Sequence, residues 1–253
     1  MTDLITDWIN RIGKVHLAGD YAIAESLAHQ AIKETGNAPK ILEIAGIIAF
    51  NQQRYDEAIE FIERAMFETP LSFTSQLVLA KSFVQLNQDD RAKATTQFLT
   101  EMVDQLPCEM LPDLSQLTAH LDQYDLALAV CSEATTRHPS DDNAFFGAAI
   151  YMQRLGYPNR EVKDVMQEAL ALAPDSDVYR LNMAAICFSL SQKAEAYEHA
   201  QHLSEKALET LPCGCIGSML KKIFEEFRDD IRLGILTAQP PNNTQETKND
   251  GNA

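Results

Sequence analysis

At 253 residues and 45% hydrophobic content, the chain can bury a sizeable core, either as one repeat array or as two globular domains. Its formal net charge of −16 opposes a phosphate backbone or an anionic membrane surface, which argues against nucleic acid as a partner. The five cysteines (Cys108, Cys131, Cys187, Cys213, Cys215) are odd in number and scattered, which fits reduced thiols in a cytoplasm and not a disulfide framework.

The opening stretch MTDLITDWINRIGKV places Asp3 and Asp7 before any basic residue and has no uninterrupted apolar run, unlike a secretory leader. No later stretch approaches the roughly 18 apolar residues of a membrane span. A cytoplasmic protein is expected. Thr2 or Asp3 is expected to cap a first helix carrying Trp8, Val15 and Leu17, and Gly19-Asp20 turns the chain into a second helix from Tyr21 to Glu34. Residues 39–72 repeat this plan. Leu42, Ala45, Gly46 and Ala49 recur at i, i+3, i+4 and i+7, as do Tyr55, Ala58, Ile62 and Ala65, and Pro70 closes the unit. The small residues predict a close approach of the two helices, with Tyr55 filling the space beside them.

Ser72 is placed to cap the next helix, through Leu79, Ala80 and Phe83, and Asn87-Gln88-Asp89 starts one expected to run past Leu99 toward Leu106. Pro112 suits only a first helical turn, so a short helix is expected from there, with residues 106–112 as an irregular joint. A regular helix follows from Gln123 to Pro139, with Cys131 in a packing position as a small buried hydrophobe. Asp141 caps a helix with Phe145, Ala148, Ala149 and Met152 in its stripe, and Gly156-Tyr157-Pro158 ends it. Four positional series run through the chain, among them Ala24, Ala58, Ala92, Ala127, Val162 and Ala200, all with steps of 34, 34, 35, 35 and 38. The last unit is therefore read as longer by one helical turn. After Pro212, Ile216, Met219, Leu220, Ile223, Phe224, Phe227 and Ile231 form an apolar stripe, expected to be a capping helix over about 215–236. Residues 239–253 lack aliphatic periodicity, and a disordered tail is expected.

The 34-residue helix–turn–helix period, with Leu42-x-x-Ala45-Gly46-x-x-Ala49, Ala58-x-x-x-Ile62 and Pro70, resembles the tetratricopeptide repeat. That resemblance implies an all-α, right-handed α-solenoid of about six helix pairs (about 5–38, 39–72, 73–107, 108–141, 142–176 and 177–214), spanning residues 1–238 with the capping helix. It also implies a concave groove lined by a second stripe on each first helix. Those residues are Thr6, Ile9, Gly13 and His16; Lys40, Glu43, Ile47 and Phe50; Thr74, Leu77, Lys81 and Val84; Glu109, Pro112, Gln116 and Ala119; Asn143, Phe146, Ile150 and Gln153. The groove expected to bind a partner comprises Ile9, His16, Lys40, Ile47, Phe50, Leu77, Lys81, Val84, Phe146 and Ile150. Its partner would be a protein or peptide segment with apolar side chains; the same apolar residues would serve equally to pack neighbouring repeats. The family's carboxylate clamp needs two lysines, two asparagines and an arginine, and the matching places hold Ile9, Gly13, Ile44, Thr74 and Val78.

Catalytic and metal signals are weaker. Cys213-Gly214-Cys215 has no second knuckle to complete a zinc site, and His199 and His202, with Glu195 and Glu198, read as surface polar residues. No nucleophile elbow, phosphate-binding loop, dinucleotide fingerprint or H-E-x-x-H stretch is present. The expectation is a non-enzymatic scaffold or adaptor with neither cofactor nor metal. An escort chaperone for an aggregation-prone client is the alternative, and a thiol- or metal-handling protein acting through the CGC turn ranks below it.

Overall fold

Among the described residues, the helices that start at Pro39, Phe73, Leu111, Asp142 and Asp177 open on a proline or a capping side chain, and most helices stop where one residue turns left-handed. The computed structural model describes residues 2–200, and among these every regular element is helical. The chain divides into two compact units after Gly156.

The first unit holds α1 (Thr2–Leu17), α2 (Tyr21–Thr35), α3 (Pro39–Asn51), α4 (Tyr55–Met66), α5 (Phe73–Gln85), α6 (Asp89–Glu101), α7 (Leu111–His120), α8 (Tyr124–Arg137) and α9 (Asp142–Arg154). Consecutive helices pack on one another, and α1, α3 and α5 also touch in a row. The second unit holds α10 (Asn159–Leu172), α11 (Asp177–Ser189) and α12 (Lys193–Ala200), packed in that order. This is an all-α, solenoid-type fold. Ser72 Oγ accepts from Ser75 N at 3.3 Å and Asp141 Oδ1 accepts from Ala144 N at 3.1 Å, the two expected caps. Asp3 instead lies inside the first turn of α1.

Within a pair, the turn is set by one residue with positive φ: Gly19, Gln53, Asn87, Asp122, Gly156 and Ser191. Only two of these are glycine, so four positions accept the cost of a side chain in the left-handed region. Tyr21, Tyr55 and Tyr124 occupy the same place in the first, second and fourth pairs, each the first residue of its helix, two after that turn residue. Their rings differ in what they meet. Tyr55 packs edge-on against Phe50 at 5.6 Å, while Tyr124 faces Tyr151 at 6.4 Å.

The core follows the small residues. Ala24, Ala58, Ala92, Ala127 and Val162 are all fully buried. In the last pair the residue at this place is Ala196, three after the helix start, and not Ala200. Ser191 keeps the turn in step, so the extra turn read from the sequence is a slip of four residues, hidden because i and i+4 share a face. The third pair also departs from expectation. α6 stops at Glu101, because Met102 N bonds back to Leu99 O, and the chain crosses residues 102–110 in two 3-10 turns, Val103–Gln105 and Cys108–Met110, before Pro112 enters the first turn of α7. Leu106 and Met110 from this joint are buried in the core shared by α4 to α9. Leu17, expected on the packing side of α1, is 88% exposed. The proposed capping helix and tail lie outside the described residues.

The tightest contact is at Gly46 in α3. A Cβ there would stand 2.5 Å from Ile62 Cγ1 and 3.1 Å from the Ala58 carbonyl oxygen of α4. Gly46→Val should therefore destabilise the chain by about 1–3 kcal/mol in urea unfolding, overpacking outweighing the better helix propensity. Adding Ile62→Ala should recover part of the loss.

Candidate functional site

The irregular joint at 102–110 shapes the surface. Residues 36–38 link α2 to α3, but the longer joint sets α7 further along, and a cleft of about 330 Å³ opens between α5 and α7. Phe50 of α3, Val84 of α5 and Leu117 of α7 supply its apolar wall. Lys81, Gln85, Asp113, Gln116 and His120 supply its polar rim. Lys81 Nζ meets Asp113 Oδ2 at 2.5 Å across the cleft, an exposed pair that holds α5 and α7 at a fixed separation more than it adds stability.

Of the residues expected to line a groove, Phe50, Lys81 and Val84 come together here. Phe146 lines a second, more enclosed cavity of about 300 Å³ with Pro112, Gln116, Asn143 and Tyr151. Ile9 and Ile47 are half-buried against the cores of the first pairs, and Ile150 of α9 is half-buried as well. His16 bonds Asn51 at 2.7 Å and stacks near Tyr21 at 5.3 Å, bridging the first two pairs. Leu77 is 5% exposed and packed in the core, so its side chain is spent on neighbouring helices. Lys40 is exposed but donates to Glu43 Oε1 at 2.8 Å.

Glu43 belongs to a different structure from the one the stripe suggested. It is 3% exposed, and its Oε2 accepts from Ser72 N at 2.9 Å, Ser72 Oγ at 2.5 Å and Ser75 Oγ at 2.6 Å. The carboxylate thus sits on the N-terminus of α5, where it meets free N–H groups and the positive end of the helix dipole. Burial alone would raise its pKa, but the bonds from Lys40, Ser72 and Ser75 outweigh that and hold it below the ordinary 4.5. The signal available in the sequence was a serine cap 29 residues downstream, a separation no local pattern reports.

One thiol of the first unit is inert. Cys131 is buried beside the second cavity, and burial pushes its pKa up to about 11, so it stays a neutral thiol at physiological pH. Gly147 lets α9 approach it, since a Cβ there would lie 3.0 Å from the Cys131 sulfur. Cys213, Cys215 and His202 lie outside the described residues.

Antiparallel helix pairs stacked in sequence, with a side-chain-sized cleft between first helices, define a repeat scaffold for binding other proteins. Residues 18–73 match a family's sequence model, described as Tetratricopeptide repeat. The fold is shared with solved structures. One is YrrB, a TPR protein with an unusual peptide-binding site (19% identity, 68% of this chain and 88% of that chain, TM-score 0.56). Others are a tetratricopeptide repeat protein from Parabacteroides merdae (17%, 92% and 90%, 0.58) and the C-terminal part of a TPR repeat-containing protein from Cytophaga hutchinsonii (12%, 88% and 82%, 0.62). Over 199 residues the chain is 25% identical to protein O-mannosyl-transferase TMTC1 of Homo sapiens, covering 77% of this chain but 22% of that one. The chain therefore spans less than a quarter of that relative. Among the described residues, no helix is long and apolar enough to cross a membrane.

Removing the buried carboxylate tests the joint between pairs two and three. Glu43→Ala should cost about 2–3 kcal/mol in urea unfolding, the scale of losing charged hydrogen bonds. Because the folded pKa is depressed, the Glu43 contribution is present above pH 4.5 and lost as pH falls through the lower folded value. Stability of the parent should thus drop below pH 4.5, and the variant should lack that part of the slope.

Proposed function

We propose that the chain is a non-enzymatic adaptor that holds a partner segment against its first helices, anchored in the cleft between α5 and α7. The observation that carries this reading is the pairing of two half-exposed apolar residues, Phe50 and Val84, with a charged rim at Lys81 and Asp113. An apolar anchor from the partner would fill the wall, and its flanking polar groups would meet the rim. Ile9, His16, Lys40, Ile47, Phe146 and Ile150 extend the contact along α1, α3 and α9, while Leu77 is left to the core. The peptide-binding site named for YrrB, a chain of the same fold, supports the same use of the scaffold.

The size of the cleft favours an adaptor over an escort chaperone. About 330 Å³ lies at the lower end of the range for discrete ligand pockets, which suits one or two anchoring side chains and not a long unfolded client. The TMTC1 likeness covers 77% of this chain but 22% of that protein.

A pull-down with the intact chain tests the proposal. A stoichiometric partner should be captured by the parent and by Phe98→Glu, which changes an exposed residue of α6 outside the cleft. Phe50→Glu and Val84→Glu should each weaken capture tenfold or more, about 1.4 kcal/mol, with helicity unchanged. Equal capture by all four proteins would rule out the cleft as the binding surface.

A further inference from the structure

The second unit contains a polar cluster that partner binding does not use. Cys187 lies in the last turns of α11 and is 0% exposed. Glu195 and His199 lie four apart on α12, so both face the same side. The thiol sulfur, a carboxylate oxygen and an imidazole nitrogen of these three residues lie within 4.8 Å of one another. His199 is half-buried, and not the surface residue its sequence context suggested.

Comparison of equivalent places in the other pairs sets this cluster apart. Counted from the turn residue, the three positions hold Val15, Ile23 and Leu27 in the first pair, and Thr118, Leu126 and Val130 in the fourth. The second pair has Ala49, Glu57 and Phe61. Among the described residues, only the last pair places three metal-type donors at these positions.

We propose that Cys187, Glu195 and His199 form a binding site for a divalent metal ion of the zinc class, with water as the fourth ligand. A tetrahedral zinc ion, with bonds of about 2.3 Å to sulfur and about 2.0–2.2 Å to nitrogen and oxygen, spaces its donors about 3.3–3.7 Å apart. Rotamer adjustments of about 1 Å bring the three atoms to that spacing. The donor set of thiolate, imidazole and carboxylate is borderline-soft, which suits zinc or cobalt over magnesium or calcium. Lys163 and Glu195 both hydrogen-bond the Cys187 thiol, and Lys163 Nζ also donates to Gln192 Oε1 at 3.1 Å and to Glu195 Oε2 at 2.7 Å. A metal would replace the two contacts to the thiol and leave the Lys163 bond to Glu195 Oε2 in place. Such a bond to a ligating carboxylate fixes its orientation, as supporting partners do in metal sites generally.

Binding replaces the Cys187 S–H bond with a metal–sulfur bond and releases the proton to solvent. Burial holds that thiol at about 11, with Glu195 and Lys163 facing it, and burial lowers the pKa of His199, which faces Glu195, Glu198, Lys163 and Arg180. Because binding displaces the thiol proton, affinity should rise with pH.

The experiment is a cobalt titration of the full chain carrying Cys213→Ser and Cys215→Ser, so that those thiols give no signal. One equivalent of cobalt should produce a thiolate-to-metal charge-transfer band and tetrahedral d–d absorbance, both bleached by zinc. Cys187→Ser should abolish the charge-transfer band, and His199→Gln should weaken binding at least tenfold while leaving the melting temperature of the metal-free protein unchanged. Absence of the band in the folded parent, or equal affinity in His199→Gln, would overturn the proposal.

Discussion

The close approach of paired helices over small residues is the constraint on which everything else rests. At Gly46 the backbones of α3 and α4 come so near that a single added carbon meets Ile62 and the Ala58 carbonyl. Ala80 and Ala184 occupy the same place in other pairs, and Ala92 and Ala196 on the helices that follow are buried as well. Backbones this close satisfy their packing within the pair through atoms that cost little side-chain entropy to order. Larger residues such as Ile41, Ile48 and Ile62 then fill the spaces between pairs, each contributing about 1.5–3 kcal/mol by burial.

Pairing and turn positions were legible in the sequence because they repeat: a proline or serine opens a helix, and a small residue marks each crossing. What could not be read falls into two kinds. Local patterns cannot distinguish residues one helical turn apart, so Ala200 stood in for Ala196, and α6 was extended through Met102 to Leu106 when a change of backbone geometry ended it at Glu101. Partners far apart in sequence are equally silent. Glu43 looked like a groove acid because nothing near it announces Ser72 and Ser75, and His199 looked exposed because its neighbour Cys187 belongs to another helix.

The candidate site was half legible for the same reason. A stripe on each first helix tells which side chains share a face, and Phe50, Lys81 and Val84 do meet. It does not tell how far adjacent first helices stand apart. That distance comes from the connection between pairs, and the connection over 102–110 is the irregular one. The feature that breaks the period is thus the one that makes room for a ligand. Regular connections bury residues such as Leu77 between helices, and a uniform array would leave a smoother and less discriminating surface.

The same joint bears on how the array comes apart. In a linear stack each unit is held only by its neighbours, so cooperativity travels from one interface to the next. Between the third and fourth pairs part of that transmission passes through Leu106 and Met110, two side chains from a segment with no α-helical ladder. A partner bridging α5 and α7 would act as a splint across that seam.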